Sequence, residues 1–520
     1  MPQNGHRGVS PSSIQSITSE AVNVCRQQKQ PHSMKLSPIL RLIAVTTLIR
    51  LAFAATTGLG VDESYMVTAG RVLSLGYFDH PPASWWLSRG AAYLLGTEAP
   101  LAVRLPFILL FALSQFLVWR IGCVIAGQRA GYWAAAALNV SPVFGVTAAD
   151  WVLPDGPLDA ALLGAALCLL YALPASGRRA AGWWAAAGVC SGLALFSKYS
   201  AVLTIAGAFL YLVAEPVHRH WLRRPHPYLA AILAVLVFSP VAIWNATHGW
   251  ASFAFQADRA LGFRFRPWMP LQTLGGEALF VLPWIWLPAM GLLVQGFRRQ
   301  AAWRHRLLSC LALPPIAVFA LISAWSSQRI LYHWAAPGYL MLFPLLGARI
   351  AGRQEWVWMR RLMAGSAALV LAAAAVVATQ IQFDWLGGRL AAVMRTDPTA
   401  EGLDWTSVRD ELRERGLLPP GAVVAALNWR DAGKIGYALG PDATMLCLNV
   451  DSRQLGFAYP VRTFAGQDAI VLALDPSPRS VDEAKTWFAS VEVLPPVSVV
   501  LDGRVLRTLT VLRGKSLRPR

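Results

Sequence analysis

Two groups of side chains that can move protons or bind phosphate lie within one segment, residues 58–99, between apolar blocks. Asp62 and Glu63 follow the first block directly, and Asp79-His80-Pro81-Pro82 comes later, with Arg71 between the two groups. A carboxylate within hydrogen-bond reach of a hydroxyl is a suitable general base. An ordinary helix cap is the alternative role for Asp62, since Asp is favoured at that position.

A second acidic segment, residues 150–157, carries Asp155 ahead of another apolar block. Lys198 lies where two apolar blocks almost meet, and a lysine there is costly unless it is paired. It is suited to neutralise a phosphate or a carboxylate. The alternatives are a helix cap for Asp155 and an ordinary lysine extending to the membrane interface for Lys198.

Two further segments combine basic and aromatic residues. Residues 245–275 include Arg264 among several Phe and Trp residues, and residues 325–334 include Arg329 and His333. Such mixtures suit a lipid-phosphate headgroup or an ordinary interfacial aromatic belt. Asp79, His80 and His333 are also weak candidates for a divalent-metal site, but no close spacing such as HExxH supports one. The metal ligands therefore stay unknown, and no cofactor is assigned.

The elements that must position these residues are membrane helices. The chain has 520 residues, of which 55% are hydrophobic and only 14% charged, and a membrane-crossing helix needs about 20 apolar residues. This composition excludes a soluble globule and a disordered chain. We predict about eleven spans, at residues 38–57, 100–120, 131–149, 158–174, 182–197, 200–214, 227–244, 276–295, 307–324, 335–350 and 361–380.

The placement of charge predicts the orientation. Every second connection between spans is rich in arginine, and such connections face the cytoplasm. The net charge of +18 is therefore largely a topology signal, and nucleic-acid binding is not expected. We expect residues 1–37 to form a cytoplasmic tail, residues 38–380 to form the transmembrane domain, and the segments 58–99, 150–157, 245–275 and 325–334 to face outward.

Residues 381–520 differ in character. They hold 17 basic and 16 acidic residues, which suits a folded, water-facing domain. Short apolar runs predict strands at 423–427, 445–448 and 469–474, and polar periodic stretches predict helices at 404–415 and 480–491. An odd number of spans places this α/β domain outside the cytoplasm. Six scattered cysteines without a CxxC pair argue against a disulfide framework or a zinc–cysteine site.

The ordered motifs resemble a known family. Asp62-Glu63, Asp79-His80-Pro81-Pro82, Asp-Gly-Pro at 155–157, Ser197-Lys198-Tyr199 and His333-Trp334 are similar to motifs of GT-C glycosyltransferases of the protein-mannosyltransferase type, family 39. The lipid A aminoarabinose transferases are relatives within that group. The resemblance covers roughly residues 38–350.

The resemblance implies a membrane glycosyltransferase of the inner membrane that uses a polyprenyl-phosphate sugar donor. Transfer with inversion to a lipid A, glycan or protein acceptor would occur on the outer face. It implies a catalytic role for Asp62, with Asp155 matching the acid of the second outer loop; we add Glu63 as a catalytic candidate. Asp79-His80 occupies the place of a Glu-Lys pair in the aminoarabinose transferases, whose lysine is assigned to the donor phosphate.

Because His80 stands in the place of that lysine, another cation is needed to bind the donor phosphate. We expect Lys198 or an arginine of residues 259–266, such as Arg264, to supply the charge, and Arg71, Asp79, Arg329 and His333 to bind substrate. A polytopic transporter or lipid flippase is the main alternative, although the sequence has no internal repeat of the kind many transporters show. A scaffold with an exported binding domain would leave residues 58–99 unexplained.

Overall fold

The computed structural model describes residues 37–260, 265–326, 330–352, 357–386, 389, 398–474, 478–501 and 504–518. The predicted tail, apart from residue 37, lies outside these ranges. The helices of the first half are α1 Ser37–Thr56, α2 Val61–Gly70, α3 Ala83–Leu95, α4 Pro100–Ala126, α5 Gln128–Val140, α6 Asp155–Ala172, α7 Gly177–Ser197, α8 Ala201–Ala214 and α9 His226–Thr247. They are followed by α10 Ala251–Ala260, α11 Met269–Val281, α12 Pro283–Gln295, α13 Trp303–Ile322, α14 Ala336–Leu340, α15 Phe343–Gly352 and α16 Val357–Phe383.

The predicted polytopic helical fold is confirmed. Within the described residues, seven helices are long and apolar enough to cross a membrane: α1, α4, α6, α7, α9, α13 and α16. The pair α11 and α12 would make an eighth, bent by 116° at the break between them. Leu282 at that break has a φ of 82° and precedes Pro283, which cannot donate a backbone hydrogen bond.

The remaining apolar blocks form shorter or interrupted helices. Residues 131–149 contain the end of α5 and a π-helical segment at Val143–Ala148, interrupted at Ser141-Pro142. Residues 335–350 are divided between α14 and α15. Apolar length alone therefore indicates which blocks are buried but not where a helix is broken, and the count of eleven exceeds the number of long helices.

The C-terminal part is the predicted α/β structure. Its strands are β1 Val423–Ala426, β2 Thr444–Cys447, β3 Ala469–Ala473, β4 Phe488–Leu501 and β5 Arg504–Leu517. The sheet has the order β2-β1-β3-β5-β4, with β1 parallel to β2 and β3, and β5 antiparallel to β3 and β4. Its helices are α17 Thr406–Glu414, α18 Trp429–Leu439, α19 Arg453–Ala458 and α20 Pro478–Trp487.

One predicted helix of this domain is partly wrong. The helix expected at 480–491 ends at Trp487, and Phe488 begins a 14-residue strand that pairs with β5. Val491, Val493 and Val497 pair with β5 along this hairpin, and β-branched residues favour such pairing. The cross-strand contacts override the helical pattern of the preceding residues.

The α/β domain is docked on residues 58–99 through α2 and α18. Gly433 and Gly436 lie so close to α2 that a Cβ atom would be 2.6 Å from Cβ of Tyr65 and 2.5 Å from Cγ2 of Thr68. Between them, Lys434 is buried, and its Nζ donates to three backbone carbonyls, one of which is Leu59 O at 2.6 Å. The segment that carries the candidate acids is therefore fixed between the helical bundle and the α/β domain.

Candidate active site

The turn before α2 determines how the Asp62-Glu63 pair is displayed. Gly60 is the N-cap residue, and its N–H donates to the Glu63 carboxylate at 2.9 Å. Asp62 is the second residue of the helix and does not cap it. An acidic residue in the first turn is stabilised by the helix dipole, and the side chain of Asp62 stays exposed.

Glu63 is buried and fully engaged. Arg104 donates Nε to Oε1 at 2.8 Å and Nη2 to Oε2 at 2.7 Å, and the N–H of Val152 donates to Oε1 at 3.1 Å. Arg104 also binds Thr57 and the carbonyl of Gly58. Burial alone would raise the pKa of Glu63, but Arg104 and the two backbone donors outweigh it and lower the pKa. The neighbouring acids thus have different environments: Glu63 stabilises the turn, whereas the side chain of Asp62 is exposed to solvent.

Asp62 lies near two cations of the α/β domain. Desolvation by surrounding protein raises the pKa of its carboxyl group, and the charges of Arg430 and Arg453 oppose that rise. Glu63 raises the pKa slightly further. A carboxylate with a raised pKa is more basic than a fully solvated one, which suits a group that accepts a proton.

Asp79 is buried beside the same α/β domain. The hydroxyl of Tyr65 donates to its Oδ2, and Nη1 of Arg453 lies 3.3 Å from its Oδ1. Burial, followed by the charge of Asp79, raises the pKa of Tyr65 well above its usual value, so the hydroxyl keeps its proton. Gln256 donates its side-chain amide to the backbone carbonyl of Asp79 at 2.6 Å.

Asp155 and Lys198 form a buried ion pair, with Nζ 2.9 Å from Oδ1. Pro154 is the N-cap residue of α6, so Asp155 is not a cap. Lys198 is turned into the protein and does not extend to the interface. His80 and His333 lie within electrostatic reach of Asp155.

A cavity of about 110 Å³ adjoins this ion pair. Its lining combines polar and apolar side chains: His80, Lys198, Tyr199, Ser200, Gln256, Phe319, Ile322, Ile330 and Trp334. Polar groups together with apolar ones suit the headgroup and first carbons of a lipid phosphate.

The dipeptide Asp79-His80 joins the two halves of the site. Asp79 contacts Arg453, whose charge also acts on Asp62, and His80 lines the cavity beside Lys198. The structure therefore brings Asp62, Asp79, His80, Asp155 and Lys198 into one connected region. His333 adjoins it through its electrostatic contact with Asp155.

Of the three remaining predicted substrate-binding residues, Arg71 alone lies within the described part of the chain. Arg71 pairs with Glu98 at 2.7 Å and donates to the carbonyl of Gly436 at 2.9 Å, which ties α2 to α18. Arg264 and Arg329 lie outside the described residues. Among the described residues there is no group of three His, Cys, Asp or Glu side chains that could hold a metal ion, and Asp79, His80 and His333 form none.

Nothing in the sequence indicated the contribution from the α/β domain. Arg430 and Arg453 approach Asp62 and Asp79 from residues more than 350 positions later in the chain. Neither arginine belongs to a motif, and both lie in a domain with many other charges. Arg453 stacks on Trp429 at 3.9 Å, a contact that the spacing of the two residues does not predict.

Comparisons with known proteins identify what this chain is similar to. Residues 79–244 match the family model described as dolichyl-phosphate-mannose-protein mannosyltransferase. Lipid A galacturonosyltransferase RgtD of Rhizobium johnstonii is 23% identical over 297 residues, which are 56% of this chain and 60% of RgtD. An undecaprenyl phosphate-alpha-4-amino-4-deoxy-L-arabinose arabinosyl transferase of Sodalis glossinidius is 28% identical over 48% of this chain and 46% of its own. The chain therefore spans about half of each relative's length.

The structural likeness extends over nearly the whole chain. ArnT from Cupriavidus metallidurans in the apo state has a TM-score of 0.63 at 15% sequence identity, covering 91% of this chain and 97% of ArnT. The same protein bound to undecaprenyl phosphate gives the same TM-score over 92% and 98%. The predicted resemblance is therefore confirmed: this chain is a multi-pass membrane protein with the GT-C fold of ArnT, and its residues 79–244 match the protein-mannosyltransferase family.

Proposed function

We propose that this protein is a membrane glycosyltransferase that moves a sugar from a polyprenyl-phosphate donor to an acceptor outside the cytoplasm. The observation that carries the proposal is the junction at Asp79-His80. It links an exposed carboxylate, Asp62, to a cavity that Lys198 lines together with apolar side chains. The named relatives are sugar transferases, and none of them favours the transporter alternative.

In the proposed reaction, Asp62 accepts the proton of an acceptor hydroxyl as its oxygen attacks the anomeric carbon. The bond between that carbon and the donor phosphate oxygen breaks, and the configuration at the carbon inverts. The polyprenyl phosphate departs with the electron pair of the broken bond and therefore gains negative charge. Lys198 and His80 stabilise it electrostatically, and Asp155 holds Lys198 in place.

Glu63 has a positioning role in this mechanism. Both of its carboxylate oxygens accept hydrogen bonds from Arg104 and from backbone N–H groups, which leaves it poorly placed to exchange a proton with substrate. By capping α2, it orients the adjacent Asp62.

The acceptor and the membrane orientation belong to the same proposal. RgtD acts on lipid A by its name, and we propose a lipid A-type glycolipid as acceptor. The arginine-rich alternate connections support a cytoplasmic N-terminus and an outward-facing α/β domain in the inner membrane. That orientation puts Asp62 and the cavity on the outer side.

The experiment is sugar transfer by purified protein in detergent. Undecaprenyl phosphate-linked 4-amino-4-deoxy-L-arabinose and polyprenyl phosphate-linked galacturonic acid are the donors, and lipid A is the acceptor. We expect transfer from one of them without any ion gradient, and a loss of at least about 100-fold in Asp62→Asn, as for removal of a general base. Asp482→Asn removes an exposed carboxylate paired only with Lys485 and is the control.

Full transfer by Asp62→Asn would refute Asp62 as the base. Absence of transfer by the wild-type protein with both donors, alongside donor movement across a vesicle membrane, would refute the transferase in favour of a flippase.

A further inference from the structure

Arg453 is the first residue of the short helix α19 in the α/β domain, and its backbone is unfavourable. Its φ is 49°, in the left-handed region that is unfavourable for a residue with a side chain. Residues held in such conformations cluster at binding and active sites. The contacts of the side chain indicate what this conformation achieves.

The guanidinium of Arg453 lies between two carboxylates and two aromatic rings. Its Nη1 is 3.3 Å from Oδ1 of Asp79 and its Nε is 3.7 Å from Oδ2 of Asp451. Its central carbon lies 3.9 Å from the ring centre of Trp429 and 5.6 Å from that of Phe255, and stacking on aromatic faces fixes the plane of the group. Among the described residues its Nη2 has no hydrogen-bond partner, and the side chain is 23% exposed. This nitrogen is therefore available to a ligand.

Arg453 is linked through Asp79 to the residues that line the cavity, and through its charge to the proposed base. Asp79, its ion-pair partner, is followed in the chain by His80, which lines the cavity. Gln256 lines the same cavity, binds the carbonyl of Asp79 and follows Phe255 in the chain. On the other side, the charge of Arg453 acts on Asp62.

The other cations of the site are less suited to a phosphate. Lys198 is bonded to Asp155 at 2.9 Å and its side chain is 10% exposed, whereas Arg453 has longer ion-pair distances and a more exposed side chain. His80 is an imidazole, which carries no permanent charge. An arginine stays protonated at any physiological pH, and its planar fork matches two phosphate oxygens.

We propose that Arg453 binds the phosphate group of the lipid donor, so that the α/β domain completes the donor site. This inference rests on the proposed function and assigns the substrate contact to a residue outside the membrane helices. When the donor binds, Arg453 gives up part of its contact with Asp79 and donates to the phosphate oxygens. It stays bound to the phosphate as negative charge develops on this leaving group.

The test measures binding of undecaprenyl phosphate and of undecaprenol, which lacks the phosphate, to purified protein in detergent. We expect the wild-type protein to prefer the phosphate by more than tenfold, and Arg453→Gln to lose most of that preference. Arg453→Lys keeps the charge without the fork and is expected to lie between them. Arg413→Gln, which removes an exposed arginine of the same domain, is expected to behave as wild type.

The ratio of the two affinities separates phosphate binding from a merely structural role, because a loosened site would weaken both lipids alike. An unchanged preference in Arg453→Gln would overturn the inference. Should that variant fail to fold, Arg453→Lys decides: a preference equal to that of wild type, together with an unchanged KM for the donor, would also overturn it. A wild-type protein that distinguishes neither lipid would instead overturn the proposed donor, and the role of Arg453 with it.

Discussion

The ion pair between Lys198 and Asp155 allows its contribution to the free energy of unfolding to be measured separately from its contribution to sugar transfer. Both side chains are about nine-tenths buried, and their charged atoms are 2.9 Å apart. Removing one partner of a buried pair leaves an uncompensated charge and costs about 3–5 kcal/mol. Replacing both by neutral groups of similar size is often close to neutral, because the desolvation of two charges is no longer required. We therefore expect Lys198→Met to be destabilised by about 3 kcal/mol or more.

The second substitution should reverse this loss. In Lys198→Met/Asp155→Asn, neither charge of the pair remains, and we expect at least about 2 kcal/mol of the free energy of unfolding to return. Sugar transfer should not return, since the cavity then lacks the ammonium group that stabilises the departing phosphate.

Equilibrium unfolding in mixed micelles gives the free energies, and the detergent transfer assay gives the activity. Asp155→Asn completes the double-mutant cycle. If the double variant is no more stable than Lys198→Met, the two charges are not coupled as the geometry requires. If instead the double variant transfers sugar at the wild-type rate, Lys198 has no electrostatic role in the reaction.

Two further predictions concern the adjacent acids of α2. The pKa of Asp62 is raised and the unprotonated form is active, so kcat/KM should fall with decreasing pH at a pH above the ordinary Asp value of about 3.9. Arg430→Gln removes a cation that lowers this pKa and should move the acid limb to higher pH; an unmoved limb would contradict Asp62 as the titrating group. Glu63→Gln should lower stability at pH 7 by about 3 kcal/mol, because Arg104 loses its buried partner. The lowered pKa of Glu63 stabilises the fold fully above its unfolded value of about 4.3 and loses that effect as pH falls through the folded pKa. Wild-type stability should therefore decline more steeply below pH 4 than that of Glu63→Gln, and equal slopes in equilibrium unfolding would refute the assignment.

The sequence by itself determined the class of protein and the order of its chemical groups. Long apolar blocks commit the chain to membrane helices, because an unpaired backbone in lipid is too costly. The short runs at 423–427, 445–448 and 469–474 predicted three strands almost to the residue, since those strands are buried and continuous. The ordered acids and Lys198 could be identified because charges beside apolar blocks are expensive.

Only the tertiary structure decided which of those groups meet. Asp62 and Glu63 are neighbouring acids whose roles the local sequence does not distinguish. Arg104, 41 residues after Glu63, binds the Glu63 carboxylate and gives it a structural role. Asp155 pairs with Lys198 across 43 residues, and Arg453 approaches Asp79 from the far end of the chain. Such pairings depend on how helices and domains pack, and no local periodicity records them. The hydrophobic pattern sets where a segment lies, whereas the role of a charge is set by the partners that packing brings to it.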